Sequence, residues 1–487
     1  MVMRLSRRAM LAGAGATLAT GAWADAPLTS LRPRARVAFA NPSERMIAAA
    51  GLSDKVGFVI ADARTGNILD SVAPDRLHPP ASVTKAVTAF YALRSLGAGY
   101  RFETRVFADG QIKNGILHGN LILAGGGDPN LQTDDLAALA ADLKKSGLTE
   151  VRGDFLVWDK ALVHLDVIDR TQLDHVGYNP SIGGLNLNFN RVHFEWKQQG
   201  ADFITTLDAR SENFRPAVTT AKVRIVDRAV PVFTYRAGQG VDEWTVARAA
   251  LNAEGSRWLP VRNPALYAGE VFATFARSQG IVLKYPRKQE QAPQGNVLAR
   301  FQSAPLPDML RGMLRYSTNI TAEAVGLSAT QALTGQKRDL QASAQGMARW
   351  AQPWMGGAPF FADHSGLGDM SRLSAADMVA MLRADDVQRT LLPLLRTIPL
   401  VDAQGRTLPG PKAEIRAKTG TLNFVSALAG YLRRDDGRDL AFAFFAADMD
   451  ARKAGKRSGE ETPRGARGWN TQARRLQQQL LQHWAAA

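Results

Sequence analysis

Residues 79–93 read Pro79-Pro80-Ala81-Ser82-Val83-Thr84-Lys85-Ala86-Val87-Thr88-Ala89-Phe90-Tyr91-Ala92-Leu93. Two prolines stop whatever precedes them. Val83, Val87, Phe90, Tyr91 and Leu93 then recur at helical spacing, which predicts a helix with one buried face opening at Ser82. Residues three apart on a helix share a face, so the Lys85 amine falls beside the Ser82 hydroxyl. Serine is a poor nucleophile until a neighbouring base takes its proton. A lysine serves as that base when burial or positive neighbours lower its pKa. Taken alone, the pair has a plainer reading, a helix-capping serine with an exposed lysine.

Outward from that stretch the chain alternates strands and helices. Apolar runs at 56–61 and 68–72 flank Arg64-Thr65-Gly66-Asn67, which predicts a β-hairpin. A strand is expected at 119–124, running into Gly125-Gly126-Gly127-Asp128-Pro129, then an amphipathic helix at 134–146 and a strand at 151–158. Runs of Val, Ile, Thr and Phe at 203–207, 222–226 and 232–235 make the segment 200–285 mainly β. Helical spacing returns at 268–279 and at 307–333, the second interrupted at Ser317-Thr318-Asn319, and the Gln/Pro/Gly-rich 289–296 reads as a linker. Near the end, 424–432 and 440–447 make a hairpin through Asp435-Asp436-Gly437-Arg438, and a Gln/Arg-rich helix follows. The basic run Arg452, Lys453, Lys456 and Arg457 reads as a solvated loop rather than a binding patch.

Composition narrows the chemistry. A length of 487 residues points to about three domains at ~150 residues each. The chain has no cysteine, which excludes disulfides, thiolate catalysis and Cys-based metal centres. Its seven histidines show no H-E-x-x-H pairing, so a zinc peptidase is not indicated. Arg4, Arg7 and Arg8 precede an Ala/Gly-rich run, 9–21, that closes in Ala22-Trp23-Ala24, the pattern of a secretory signal. Ser6-Arg7-Arg8-Ala9-Met10-Leu11 resembles a twin-arginine signal, and the run is too short to span a membrane. Removing 1–24 takes three arginines and no acid from the net charge, 15 − 3 = +12. For an exported basic protein the acidic partner is cell wall, not nucleic acid.

Two further motifs complete the reading. Lys418-Thr419-Gly420-Thr421 stands just before the C-terminal hairpin. A strand glycine admits a ligand's backbone, and the lysine with two hydroxyls suits a carboxylate, although a plain strand with a turn glycine fits as well. Ser317-Thr318-Asn319 alone is ordinary turn chemistry. In this order on one exported chain, S-x-x-K, S-x-N and K-T-G are the motifs of penicillin-recognising serine enzymes. The chain resembles the class C low-molecular-mass penicillin-binding proteins, the D-alanyl-D-alanine carboxypeptidase/endopeptidase family, from about residue 56 to the C-terminus. Gly119-Asn120-Leu121 with Gly125 to Pro129 is similar to that family's G-D-L…GGGDP. Leu185-Asn186-Leu187-Asn188-Phe189-Asn190 is similar to its L-N-x-N-x-N, and Asp363-His364-Ser365-Gly366-Leu367 to its D-G-S-G-L. Ala427-Leu428-Ala429-Gly430-Tyr431 is similar to its A-L-A-G-Y. The interval from Ser82 to Ser317, 317 − 82 = 235 residues, exceeds that of class A β-lactamases, and their E-x-x-L-N is absent.

The resemblance implies an α/β (α+β) fold: a β-lactamase/transpeptidase-like domain, an antiparallel sheet flanked by helices, formed by 25–99 and 288–487. Two smaller, mainly β domains are inserted, one from 100–125 with 205–287 and one from 126–204. It also implies roles. Ser82 attacks the D-Ala-D-Ala carbonyl and Lys85 accepts its proton. Ser317 and Lys418 pass the proton toward the leaving amine, and Asn319 holds the acyl-side amide. Thr419 and Thr421, with Gly420 between them, bind the terminal carboxylate, and the N–H groups of Ser82 and Thr421 form the oxyanion hole. Asp159 is the candidate for the stem peptide's amine. No metal or organic cofactor is needed. The implied partners are peptidoglycan stem peptides, with β-lactam antibiotics as covalent inhibitors. Nucleic acid and a transmembrane anchor are not expected, a homodimer stays open, and the location is the periplasm. The chain departs from the family at Thr318, where Asp or Asn is common, and lacks the arginine that often follows S-G-L-S, so that either recognition of the stem peptide is altered or Arg372 substitutes. His364 stands either near the site or in a surface loop. A β-lactamase and a catalytically idle peptidoglycan-binding protein are the alternatives.

Overall fold

The hairpin expected near the start forms: β1 (Val56–Asp62) pairs antiparallel with β2 (Ile68–Val72). β1 also pairs with a strand made almost at the end of the chain, with Val56 opposite Ala446 and Asp62 opposite Leu440. The structure, a computed structural model, describes residues 42–410 and 413–486, so the expected signal at 1–24 lies outside the described residues. The main sheet takes in β3 (Arg396–Thr397), β4 (Ala413–Leu422), β5 (Val425–Arg434) and β6 (Asp439–Ala447). Its order is β3-β4-β5-β6-β1-β2, antiparallel throughout.

Side chains alternate across a strand, and here both faces are covered. Val59, Ala61, Ala427, Ala429 and Phe445 enter one core, while Phe58, Ile60, Leu428, Phe442 and Phe444 enter another. The first core lies against the helix α1 (Thr84–Leu96), and the second against the C-terminal helix, Ala466–Ala486. The expectation of one buried face on α1 is corrected: every residue from Thr84 to Ala92 is buried. α1 packs against the sheet's core and against the helices α2 (Leu306–Tyr316), α3 (Asn319–Thr334) and Leu340–Met355, so no face of the stretch 84–92 is left for water, and only its last turn, where Arg94 is exposed, meets solvent.

Between α1 and α2 the chain builds a second body of sheet. Its five-stranded portion runs Arg287–Lys288, Phe155–Trp158, Leu121–Gly125, Glu103–Ala108, Asn296–Gln302. Three-stranded sheets lie beside it, and buried Phe155, Phe194, Trp244, Tyr267 and Phe272 fill one continuous core. The strand expected at 151–158 is in fact two, Glu150–Val151 and Phe155–Trp158. Gly153 breaks it: its N–H bonds Gly119 O, and a Cβ there would stand 2.3 Å from that same oxygen. The basic run expected as a solvated loop is a helix, α4 (Met449–Arg457), because Asp448 accepts from Ala451 N–H at its N-terminus and Arg452 is buried. Among the described residues no helix is long and apolar enough to cross a membrane.

Candidate active site

Ser82 does not cap α1. It sits in a short 3-10 turn, Ala81–Val83, that feeds directly into the helix, so its hydroxyl is not spent on the helix end. One turn on, the Lys85 Nζ lies 3.0 Å from Ser82 Oγ and donates to Asn319 Oδ1 at 2.7 Å and to the Ser365 carbonyl at 2.7 Å. Lys85 is fully buried, and burial pushes its amine down from the ordinary lysine range, against the raising effect of Glu323 and Asp363. A buried amine of lowered basicity, a hydrogen bond away from a serine hydroxyl, has the chemistry of a general base.

Glu323 and Asp363 are the floor of this site. Glu323 accepts the His364 and Ser365 N–H groups, each at 2.9 Å, and burial pushes its carboxyl up. Asp363 accepts Ser365 N–H at 3.0 Å, Gly366 N–H at 2.5 Å and Gly368 N–H at 2.6 Å. Together they pin the segment whose Ser365 carbonyl holds Lys85. Gly366 is required there: its φ is +76°, and a Cβ would fall 1.8 Å from Ala81 O. Sequence reading passed over Glu323, although it lies four residues after Asn319 and so on the same helical face.

Ser317 ends α2 in the left-handed region, φ 60° and ψ 38°, at a cost of ~1–3 kcal/mol for a non-glycine residue. That turn ends one helix and starts the next at Asn319, setting Ser317 Oγ 3.0 Å from Lys418 Nζ. Lys418 also donates to the Thr419 carbonyl at 2.7 Å. Burial, followed by the charges of Lys85 and Arg396, holds the Lys418 amine well below its usual value. Thr318 turns its hydroxyl to Thr321 at 3.0 Å, away from both catalytic candidates.

β4 brings Gly420 against the Ser82 turn, where a Cβ would stand 2.9 Å from Pro80 O and 3.0 Å from Ser82 N. Ser82, Ser317, Asn319 and Thr421 line one cleft of about 440 Å³. Thr419, two residues earlier on the same strand face, accepts from Arg396 Nη2 at 3.2 Å and lines the neighbouring groove of about 900 Å³. Asp159 is buried and outside the cleft, its carbonyl accepting Gly184 N–H at 2.7 Å. Arg372 is not in the cleft either, donating to the carbonyls of Asp369 and Ser371 at 2.6 and 2.8 Å. His364 is fully buried rather than on the surface, its ring turned away with Nε2 2.8 Å from Ser343 Oγ while its backbone lies next to the site, donating its N–H to Glu323.

The cleft's far wall was not legible. Arg452 and Lys456 of α4 line it and pair with Asp369, and Lys456 donates to Thr171 Oγ1 at 2.7 Å. Tyr178 O receives Asn319 Nδ2 at 2.8 Å. His175 and Arg257 hold Glu461's carboxyl down at about 2.

Residues 44–462 match the D-Ala-D-Ala carboxypeptidase 3 (S13) family. The chain belongs to that family. It is 27% identical over 446 residues to the D-alanyl-D-alanine carboxypeptidase DacB of Haemophilus influenzae, covering 84% of this chain and 90% of the relative. It is also 27% identical over 477 residues to a D-alanyl-D-alanine carboxypeptidase of Actinomadura sp. (strain R39), covering 84% and 83%. Among solved structures, penicillin binding protein 4 (dacB) of H. influenzae superposes with a TM-score of 0.73 at 20% identity, over 91% of this chain and 99% of that one. The expected α/β, transpeptidase-like fold with insertions is the fold of this chain, and the family makes it a hydrolase.

Proposed function

We propose that this serine-type D-Ala-D-Ala carboxypeptidase works through an acyl-enzyme on Ser82, in the periplasm, on peptidoglycan stem peptides. The observation that carries the reading is Lys85, buried and shared between Ser82 Oγ, Asn319 Oδ1 and the Ser365 carbonyl. The neutral Lys85 amine takes the Ser82 proton as Oγ bonds to the scissile carbonyl carbon. The negative charge that develops on the carbonyl oxygen is received by the N–H groups of Ser82 and Thr421, on the two elements that meet at Gly420. Collapse breaks the C–N bond, and the leaving nitrogen takes a proton delivered through Ser317 and Lys418, 3.0 Å apart. Water then attacks the ester, freeing the shortened peptide and restoring Ser82. The same steps cut a cross-link when the leaving amine belongs to a second stem peptide. A β-lactam carbonyl enters the first step and stalls at the second, as expected of a penicillin-binding enzyme. The partition of the inserted region into 100–125 with 205–287, and 126–204, is part of this proposal, as are the signal at 1–24 and the location.

Intact mass against time after mixing the protein with benzylpenicillin, beside Ser82→Ala, tests the reading. A long-lived adduct on the wild type alone supports it. Rapid loss of the adduct with drug turnover means a β-lactamase. No adduct overturns the mechanism and leaves a wall-binding protein.

A further inference from the structure

The outer edge of β4 has two unlike ends. Past Leu422 it opens into the cleft, where Asn423 and Arg452 leave room for an extended acyl chain. In the other direction it meets β3, which pairs only with Arg416 and Ala417 and ends the open edge. The residue at that corner is Arg396. It stands opposite Ala417 in register and donates from Nη2 to Thr419 Oγ1 at 3.2 Å. Arg396 is exposed, and among the described residues no carboxylate lies within ion-pair distance of it. Arg474 and Arg475 of the C-terminal helix line the same groove and add to its positive potential.

Neither lysine of the site supplies a free charge here. Lys85 is enclosed by its three acceptors, and Lys418 is buried and committed to Ser317 Oγ and the Thr419 carbonyl. A peptide's terminal carboxylate stays ionised throughout the reaction, and hydroxyl donors alone compensate poorly for the water it gives up. We propose that Arg396 reads the free carboxylate of the leaving D-amino acid, its guanidinium and the Thr419 hydroxyl each receiving a carboxylate oxygen. The assignment rests on the acyl-enzyme reading above and deepens it: the wide end of the edge takes the acyl portion, and the end blocked by β3 takes one residue that terminates in an acid. Sequence reading gave the carboxylate to Thr419 and Thr421 alone, and Arg396 carries no motif that would have marked it.

The test compares kcat/KM on an N-acetylated tripeptide ending in D-Ala-D-Ala with kcat/KM on the same peptide as its C-terminal amide. Arg396→Gln is expected to lower the value for the acid roughly 10- to 100-fold, the worth of one charge-assisted contact, and to leave the amide within about threefold. Arg396→Lys recovers part of the loss, and Arg475→Gln, which removes only a share of the groove's potential, lowers the acid value less than Arg396→Gln does. The proposal is overturned if Arg396→Gln weakens acid and amide equally or neither. It is also overturned if Arg475→Gln matches it, since a diffuse field would then do the work. A wild type that neither forms a penicillin adduct nor releases D-Ala sinks the acyl-enzyme reading itself, and this inference with it.

Discussion

Alanine at position 420 inserts a single carbon into the contact on which the proposed oxyanion hole depends. The new Cβ would stand 2.9 Å from Pro80 O, 3.0 Å from Ser82 N and 3.1 Å from Ala427 Cβ, against ordinary contact from 3.4 Å. The turn and β4 must therefore part by 3.4 − 2.9 = 0.5 Å on the Pro80 side. None of the three neighbours is a flexible side-chain end: two are backbone atoms, and Ala427 is held opposite Gly420 in the β4–β5 ladder. Overpacking of this kind costs ~1–3 kcal/mol of stability. The larger effect is on chemistry, because the Ser82 N–H rides on the turn and the Thr421 N–H on β4, so the widened gap separates the two donors. Losing one such donor entirely costs ~3–4 kcal/mol, and a half-ångström opening is expected to slow acylation about 10- to 100-fold. Stopped-flow acylation by benzylpenicillin reads the rate, and a thermal melt confirms that Gly420→Ala is folded. A folded Gly420→Ala that acylates within about threefold of the wild type would refute the reasoning.

Other outcomes follow from the same geometry. Lys85 faces Ser82, Asn319 and Glu323 with α3, Asp363 and the Ser365 carbonyl on the pinned segment, and Lys418 on β4. Because the Glu323 charge raises the Lys85 amine, Glu323→Gln should move the rising limb of the acylation pH profile to lower pH; an upward shift contradicts the assignment. Asn319→Ala removes both the Lys85 tie and the Tyr178 tie, and should lower penicillin acylation by at least about tenfold while the melt changes little; equal rates would show that Asn319 does not position the base. Arg452→Ala strands Asp369 beside Lys456 alone and should cost about 2–3 kcal/mol in urea unfolding, with an unchanged midpoint counting against a structural pair. Burial holds His78 at about 4 and His364 at about 3, both below their unfolded value of 6.5. On these two rings the unfolded chain binds protons first on acidification, so their share of stability is full above about pH 6.5 and falls toward pH 4, while burial pushes the Asp128 carboxyl up to about 7 and works the other way. Urea midpoints at pH 7 and pH 5 for the wild type and His78→Gln check the histidine share: the wild type should lose more than the variant, and an equal pH dependence would refute it.

What the sequence made legible was local. The Ser82–Lys85 pairing depends on three residues of helical spacing, and the hairpins on turn residues between apolar runs, so both needed only a short window. Even there α1 was misread as half-exposed, because its surroundings come from α2, α3 and a helix that begins at Leu340. The left-handed Ser317 carries no signal, since nothing in Ser-Thr-Asn marks a positive φ. Thr419 and Thr421 share strand parity and one expected task, yet Thr419 lines the groove that holds Arg396 and Thr421 the cleft that holds Ser82, and nothing in the local sequence marks that difference. Arg452 sat in a run that composition assigns to solvent. Its burial comes from Asp369 and the Asn423 carbonyl, 83 and 29 residues away, and no window along the chain contains both.

The pairing of β1 with β6 also has a consequence in time. Val56 and its partner Ala446 are 446 − 56 = 390 positions apart. At roughly 5–20 residues per second of synthesis, the first strand waits roughly 20–80 s for the last. Through that interval Phe58 and Ile60 have no sheet to bury them, and Ser82 has neither Lys418 nor the β4 edge. A ribosome stalled anywhere before the last sixth of the message thus leaves Ser82 without the strand that carries Lys418, and apolar strands whose exposure invites chaperone capture. Quality control is written into the topology: a truncated copy of this carboxypeptidase never assembles the site.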